Sequence, residues 1–216
     1  MQRGKMRFDG IIFDIDGTLW DSCEAVRLSW GESLLRRYSC AEAPDLDAVR
    51  SIMGMTPDEI SKKLFSSFGA RAREVFDALS EDECAYIYDH GASLYPGAAE
   101  TLKKLKESYR LFIVSNCQHG YIEALVHSCG FEGLFEDCLC AGVTGRDKAG
   151  NLAALISEHN IERALFIGDT RGDEEAARAA GCAFVHAAWG FGGAEAPDAS
   201  AGSISELPDV IKKLEG

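Results

Sequence analysis

The sequence predicts an α/β protein: a three-layer core in which helices cover both faces of a parallel sheet, with a small all-helical cap inserted after the first strand. Two observations predict this arrangement. Five short, continuously apolar segments recur along the chain with helical patterns between them, which is typical of a parallel sheet buried on both faces. This alternation is interrupted once, because residues 19–93 carry only helical patterns.

Each predicted strand is a short apolar run, and the helices between the runs have recognisable ends. The strands are 11–15, 111–114, 138–141, 164–167 and 183–185. The helices that separate the later strands are 97–108, 120–129, 149–159 and 174–180. Gly130 and Gly181 follow two of these helices directly, as is common where a helix ends. Residues 194–203, which are mostly small and polar, are predicted to form a loop.

The segment 19–93 divides into several helices. A stripe of apolar residues at helical spacing marks the first one: Cys23, Val26, Trp30 and Leu34. Capping boxes beginning at Thr56 and at Ser80 predict that further helices start there. The predicted organisation is therefore a core made of residues 1–18 and 94–216, and a helical cap made of residues 19–93.

Composition excludes several classes of protein. The net charge is −13, from 22 basic and 35 acidic residues, which disfavours nucleic acid and anionic membranes as partners. No apolar run approaches the ~20 residues that span a bilayer, and residues 1–7 lack the pattern of a signal peptide. We therefore expect a cytoplasmic monomer or homodimer whose eight cysteines are reduced. Cys138 and Cys140, at period two in an apolar run, are interpreted as strand residues rather than as a metal pair.

Four polar clusters lie at or shortly beyond the carboxyl ends of predicted strands, where ligands bind in such sheets. The first is the Asp-Ile-Asp-Gly-Thr sequence at 14–18, and the second is Ser115 with Asn116. The third is 146–148 at the start of a helix, and the fourth is 169–173. Since burying an unpaired carboxylate is costly, acids at strand ends indicate a functional site. Asp14 and Asp16 suit a nucleophile and a proton donor beside a metal.

These four clusters, in this order, resemble the motifs of the haloacid dehalogenase superfamily, in its phosphatase branch with a helical cap. The resemblance covers essentially the whole chain. It implies a Rossmann-like core and Mg²⁺-dependent phosphoryl chemistry on a small phosphorylated metabolite. The turn Gly-Phe-Gly-Gly at 190–193 is similar to one found in phosphoglycolate phosphatase-like members.

The resemblance also implies a role for each matching acid. Asp14 is expected to attack phosphorus and form an aspartyl-phosphate, while Asp16 protonates the leaving oxygen and later activates water. Mg²⁺ is expected to bind the carboxylates of Asp14 and Asp169 and the backbone carbonyl of Asp16. Asp173 is expected to support the ion through a bound water. Mg²⁺ is a hard cation that prefers such oxygen ligands.

The remaining matching residues are expected to bind the phosphoryl group. These residues are Gly17, Thr18, Ser115, Asn116 and Lys148. A cation ~4 Å from the phosphoryl group contributes on the order of 4 kcal/mol at an effective dielectric near 20. Lys148 is the only lysine between Lys106 and Lys212, but the proline that follows this lysine in many relatives is missing here. Arg146 is therefore the alternative cation.

Other activities stay open at this stage. Asp16 favours phosphate over halide chemistry, because the dehalogenases lack this second acid. A hexose-phosphate mutase of the β-phosphoglucomutase type shares the same motifs, and a non-catalytic regulatory protein on the same scaffold is the alternative outside the enzymes. Candidate substrate contacts are Arg27 and Arg50 in the cap, the loop 53–56, and His119 beside the second motif.

Overall fold

The structure is a computed structural model, and it describes residues 7–216. Residues 1–6 lie outside the described part. They make up most of the segment 1–7, in which no signal peptide is predicted. The strands in chain order are β1 (Gly10–Phe13), β2 (Trp20–Asp21), β3 (Ser93–Leu94), β4 (Arg110–Ser115), β5 (Asp137–Cys140), β6 (Ala164–Gly168), β7 (Ala183–Ala187) and β8 (Ala199–Ala201).

Six of these strands form one parallel sheet in the order β5-β4-β1-β6-β7-β8. The five predicted strands are all present in it. The sixth strand, β8, lies inside residues 194–203, so the prediction of a loop there was partly wrong. Three residues pairing with β7 at the edge of the sheet are too few to give a periodic signal in the sequence.

The register of the sheet brings the predicted motifs to one edge. Phe13, the last residue of β1, lies between Ile113 of β4 and Ile167 of β6. Asp14 follows β1 directly, and its N–H donates to the carbonyl of Ile167 at 2.9 Å. Because the strands are parallel and nearly level, Ser115 emerges on one side of Asp14 and residues 169–173 emerge on the other.

Between β2 and β3 lie four helices, which we call the helical insertion (residues 23–90). They are α1 (Cys23–Tyr38), α2 (Leu46–Arg50), α3 (Pro57–Leu64) and α4 (Ala72–His90), with a 3-10 segment at Ser66–Arg71. Their apolar faces pack around a hydrophobic cluster of their own, centred on Trp30, Phe65 and Phe76. The stretch 19–93 is therefore mostly helical, as predicted, except that β2 and β3 pair as an antiparallel ribbon at its two ends.

The two predicted capping boxes have different outcomes. At Thr56 the prediction is confirmed, because its N–H donates to the Glu59 carboxylate at 2.8 Å and α3 begins at Pro57. At Ser80 it was wrong, since α4 passes through this residue without a break and Ser80 is buried in the helix. Val75 and Leu79 extend the buried apolar stripe upstream, and burying that stripe outweighs a local capping signal.

The remaining helices cover both faces of the large sheet. They are α5 (Ala98–Lys106), α6 (Tyr121–Cys129), α7 (Ala141–Thr144), α8 (Lys148–Glu158), α9 (Arg171–Ala180) and α10 (Leu207–Leu214), with a 3-10 turn at Ile204–Glu206. Alternate residues of β1 point to opposite faces, so Ile11 and Phe13 join one buried cluster while Ile12 joins another. These two clusters confirm the predicted Rossmann-like three-layer core. Along residues 7–216, every helix is too short or too polar to cross a membrane.

Candidate active site

The first motif forms a tight turn immediately after β1. Gly17 has φ +80°, and a Cβ at this position would lie 2.2 Å from Oδ2 of Asp169. Only glycine fits such a close approach in the left-handed region. Thr18 is fully buried beside it, and its hydroxyl has no hydrogen-bond partner among residues 7–216.

Three buried carboxylates meet beyond the sheet edge. One oxygen each from Asp14, Asp169 and Asp173 lies within 4.8 Å of the others. Lys148 Nζ lies 2.9 Å from Asp14 Oδ1 and also contacts Asp173 Oδ1. Burial raises the pKa of Asp14 against the opposing effect of Lys148, and the two carboxylates hold the pKa of Lys148 above its usual range despite its burial. One ammonium group thus faces three carboxyl groups.

The contacts of Asp169 show whether a cation fits among the three carboxylates. Its Oδ2 accepts hydrogen bonds from the N–H groups of Phe191 at 2.7 Å and Gly192 at 3.3 Å. Its Oδ1 is buried and has no partner within the described part of the chain. Burial and the neighbouring Asp173 raise the pKa of Asp169 to about 7. An unpartnered carboxylate oxygen inside a cluster of hard oxygen donors fits a divalent cation such as Mg²⁺.

Asp173 is fixed by the start of α9. Its Oδ2 accepts from the N–H and the hydroxyl of Thr170, at 2.9 and 2.7 Å, and the Thr170 hydroxyl accepts from the Asp173 N–H in return. This capping box leaves Asp173 Oδ1 free to reach Lys148. The same local pattern that starts the helix therefore aims a carboxylate oxygen into the cluster.

Asp16 has surroundings unlike those of the three clustered acids. Its Oδ1 accepts hydrogen bonds from Trp20 Nε1 at 2.9 Å, from the hydroxyl of Tyr121 at 2.7 Å, and from the Ser22 hydroxyl. Burial raises the pKa of Asp16, and these three donors oppose that effect. Asp14 and Asp16 therefore occupy different environments, as a nucleophile and a separate acid–base group require.

The second and third motifs both lie beside the acidic cluster. Ser115 is buried at the end of β4, and its hydroxyl accepts from the Cys117 N–H at 3.2 Å. Asn116 turns its amide towards the helical insertion and donates to the Gly54 carbonyl at 3.0 Å. In the third motif, Lys148 is buried against Asp14 while Arg146 is exposed. Lys148 rather than Arg146 thus joins the cluster.

A cavity connects this cluster with the helical insertion. It is partly open to solvent, and its lining includes Asp14, Asp16 and Ser115 from the sheet edge and residues of α1, α3 and α4 from the helical insertion. The loop 53–56 contributes to this lining through Met53, Gly54 and Met55. Arg27, Arg50 and His119 are not among the described residues that line it.

Sequence reasoning missed several groups that shape the site. Tyr121, Trp20 and Ser22 hold Asp16, and Phe191 with Gly192 holds Asp169. The glycines at 190–193 were the available signal for the second set, because a chain that passes close to other backbone needs glycine. For Tyr121 there was no local signal, since it lies 105 residues from Asp16 in sequence.

A parallel sheet with acids and a lysine beyond its carboxyl edge, beside an inserted set of helices, is typical of α/β enzymes, which bind their ligands beyond the carboxyl ends of the strands. The chain belongs to the haloacid dehalogenase-like hydrolase family, whose model matches residues 11–187. A phosphoglycolate phosphatase from Vibrio vulnificus is 29% identical over 93% of this chain and 95% of that protein.

Solved structures give the same result for the fold. A haloacid dehalogenase-like hydrolase from Streptococcus pneumoniae superposes with a TM-score of 0.80 at 24% identity, over 94% of this chain and 97% of that one. A predicted phosphoglycolate phosphatase from Haemophilus somnus gives 0.79 at 23% identity, over 96% and 99%. The predicted enzyme class, a phosphatase of this family, is confirmed.

Proposed function

We propose that the protein is a Mg²⁺-dependent phosphomonoesterase that hydrolyses a small phosphorylated metabolite through an aspartyl-phosphate on Asp14. The observation that carries this proposal is the buried cluster of Asp14, Asp169, Asp173 and Lys148, with one unpartnered carboxylate oxygen on Asp169. A phosphate dianion beside these acids needs positive charge, and the donor set is one that a hard cation would complete.

In this proposal the carboxylates of Asp14 and Asp169 and the backbone carbonyl of Asp16 would hold Mg²⁺, and Asp173 would support it through water. When bound, the ion would neutralise the charge of the acids and of the phosphoryl oxygens. Lys148 already bridges Asp14 and Asp173 and supplies the second positive charge. Phosphoryl transfer depends mainly on this kind of positioning and charge neutralisation.

The first half of the reaction forms a bond between Asp14 and phosphorus. A carboxylate oxygen of Asp14 attacks, the bond from phosphorus to the ester oxygen breaks, and the electron pair stays on the leaving oxygen. Asp16 donates its proton to that oxygen, which leaves as an alcohol. Ser115 and Lys148 bind the phosphoryl oxygens, together with the backbone of Gly17 and the side chains of Thr18 and Asn116.

The second half returns the enzyme to its starting state. Asp16, now a carboxylate, accepts a proton from a water molecule as that water attacks phosphorus. The bond between phosphorus and Asp14 breaks, and inorganic phosphate leaves. Tyr121 and Trp20, which donate to Asp16 Oδ1, would stabilise its ionised form during this step.

The helical segment serves as the cap in this proposal. We assign residues 1–18 and 94–216 to the core that holds the reacting groups, and residues 19–93 to the cap that covers them. Support comes from the separate hydrophobic cluster of the helical insertion and from the cavity between it and the sheet edge. Such a cover excludes water and strengthens electrostatic interactions at the reacting centre.

The test is hydrolysis of p-nitrophenyl phosphate with and without Mg²⁺ by the wild type and by Asp14→Asn. We expect hydrolysis only with Mg²⁺, and its loss in Asp14→Asn. Asp209→Asn, an exposed aspartate on α10, is the matched control and should retain activity. Intact mass after acid quench should show one phosphoryl group on the wild type only. Wild-type turnover in Asp14→Asn would disprove the nucleophile.

A product assay separates hydrolysis from isomerisation. With a hexose phosphate as substrate, a hydrolase releases inorganic phosphate in proportion to the substrate consumed. A mutase instead moves the phosphoryl group to another hydroxyl of the sugar and releases little phosphate. Substrate consumption without phosphate release would therefore replace the proposal with the mutase.

A further inference from the structure

Within residues 7–216, the lining of the cavity carries no fixed positive charge. Among the described residues that line the cavity there is no lysine or arginine. Arg27, one of the candidate substrate contacts predicted from the sequence, forms an ion pair with Glu24 at 2.7 Å on the exposed side of α1. Lys148 is held by Asp14 and Asp173 and so serves the phosphoryl end.

The lining instead includes one buried acid, its hydrogen-bond donors and apolar side chains. Glu83 of α4 is 4% exposed, and its two carboxyl oxygens accept from Trp30 Nε1 at 2.6 Å and Gln118 Nε2 at 3.0 Å. Burial raises the pKa of Glu83 to about 8, so near neutral pH the group is largely protonated and can donate a hydrogen bond. Apolar side chains line the same cavity, among them Phe76 and Ile60.

These surroundings discriminate between leaving groups. A carboxylate placed beside Glu83 would lose part of its hydration without gaining a cationic partner, which is unfavourable. An uncharged alcohol could pair a hydroxyl with the Glu83 carboxyl and the Gln118 amide, while its carbon skeleton contacts the apolar wall. The electrostatics of the cavity therefore oppose a leaving group that carries a carboxylate, such as glycolate. The sequence relatives are nevertheless named phosphoglycolate phosphatases.

Granted the proposed phosphatase function, we propose that the enzyme acts on phosphate monoesters of uncharged, hydroxyl-bearing alcohols and rejects esters that carry a carboxylate, with Glu83 and Gln118 recognising a substrate hydroxyl. These two residues determine specificity and take no part in the bond-breaking steps.

The decisive comparison uses two esters of the same size. In phosphoglycolate the second carbon is a carboxylate, and in 2-hydroxyethyl phosphate it carries a hydroxyl. We expect kcat/KM for 2-hydroxyethyl phosphate to exceed that for phosphoglycolate by roughly 100-fold. Met53→Arg, which places a cation in the cavity lining, should reduce this ratio roughly fivefold. Leu35→Arg, at an exposed position on the same helical insertion, is the control and should leave the ratio unchanged.

A second pair of esters tests the hydroxyl contact. The wild type should prefer 2-hydroxyethyl phosphate to n-propyl phosphate by about tenfold, and Glu83→Leu should remove that preference. If Glu83→Leu fails to fold, Gln118→Leu gives the same test from the other side of the contact. A purely structural role for either residue would lower both rates together and leave their ratio unchanged, which would overturn the assignment.

The possible failures are distinguishable. Equal or faster hydrolysis of phosphoglycolate would overturn this inference and leave the proposed phosphatase intact. Hydrolysis of p-nitrophenyl phosphate without turnover of either small uncharged ester would also overturn it. If no ester at all is hydrolysed in the presence of Mg²⁺, the proposed function fails, and the substrate class fails with it.

Discussion

Glu83 gives a sharp prediction about stability as well as specificity, tested by the substitution Glu83→Gln. Its pKa is about 8 in the folded protein and 4.5 ordinarily, because the carboxyl is buried beside Trp30 and Gln118. Between these two pH values the unfolded chain releases a proton that the folded protein retains. The free energy of unfolding therefore falls as pH rises, by about 1.4 kcal/mol per pH unit for this group alone.

The size of the effect follows from that slope. Over the full interval the loss would reach a limit of about 5 kcal/mol. Because Glu83 borders a cavity rather than a sealed core, we expect about 2–3 kcal/mol. Glutamine cannot ionise, and its amide keeps an acceptor for Trp30. Glu83→Gln should therefore have wild-type stability near pH 5 and exceed the wild type by that amount at pH 8.5.

Denaturant unfolding followed by tryptophan fluorescence from pH 5 to pH 8.5 measures this difference, since Trp30 lies against the substituted group. Glu32→Gln, at an exposed glutamate on α1, is the matched control and should follow the wild type at every pH. An equal difference in stability between wild type and Glu83→Gln at pH 5 and at pH 8.5 would refute this prediction. That result would mean that Glu83 is already ionised in the folded protein.

Three further predictions concern the acidic cluster and the cavity. Gly190→Ala would place a Cβ 2.3 Å from that of Asp169, so we expect about 1–3 kcal/mol of destabilisation and a roughly 100-fold loss of phosphatase kcat/KM. Gly193→Ala, which meets no atom within 4 Å, should resemble the wild type in both measurements. Addition of Mg²⁺ should raise the melting temperature of the wild type by a few degrees, as measured by calorimetry, and an equal shift in Asp169→Asn would exclude Asp169 as a ligand. Asn116→Ala removes the hydrogen bond to Gly54, so hydrogen exchange of residues 53–56 should accelerate at a cost of about 1 kcal/mol, and unchanged protection would show that this bond does not hold the loop.

The predictable part of the fold was the part with a repeating local signal. Runs such as 11–13 and 164–167 are apolar throughout because both faces of the central strands are buried, and this pattern does not depend on the rest of the chain. Strand β8, with three residues at the sheet edge, and the two-residue strands β2 and β3 carry no such pattern. They form because longer elements bring their backbones together.

The candidate site also has some contacts that the sequence predicts and others that it does not. Asp14, Asp169 and Lys148 follow strand ends or open helices, so sequence position alone predicts that they converge. The contacts of Asp16 with Tyr121 and of Trp30 with Glu83 join distant elements, and no sequence spacing encodes them. Glu83 was assigned to a helix start by a local pattern. Its actual position in the middle of α4 is what turns it towards the cavity.

The short ribbon of β2 and β3 has a consequence for how this chain can change. Trp20 and Leu94 are direct partners in an antiparallel pair, so the chain leaves the sheet domain and returns to it about 5 Å apart. A short turn could bridge that gap as readily as the segment that occupies it now. The helical insertion could therefore be replaced by a segment of another length or sequence. Its length and lining can vary without stretching β1 or displacing the acids at its end, so substrate choice can evolve separately from the chemical step.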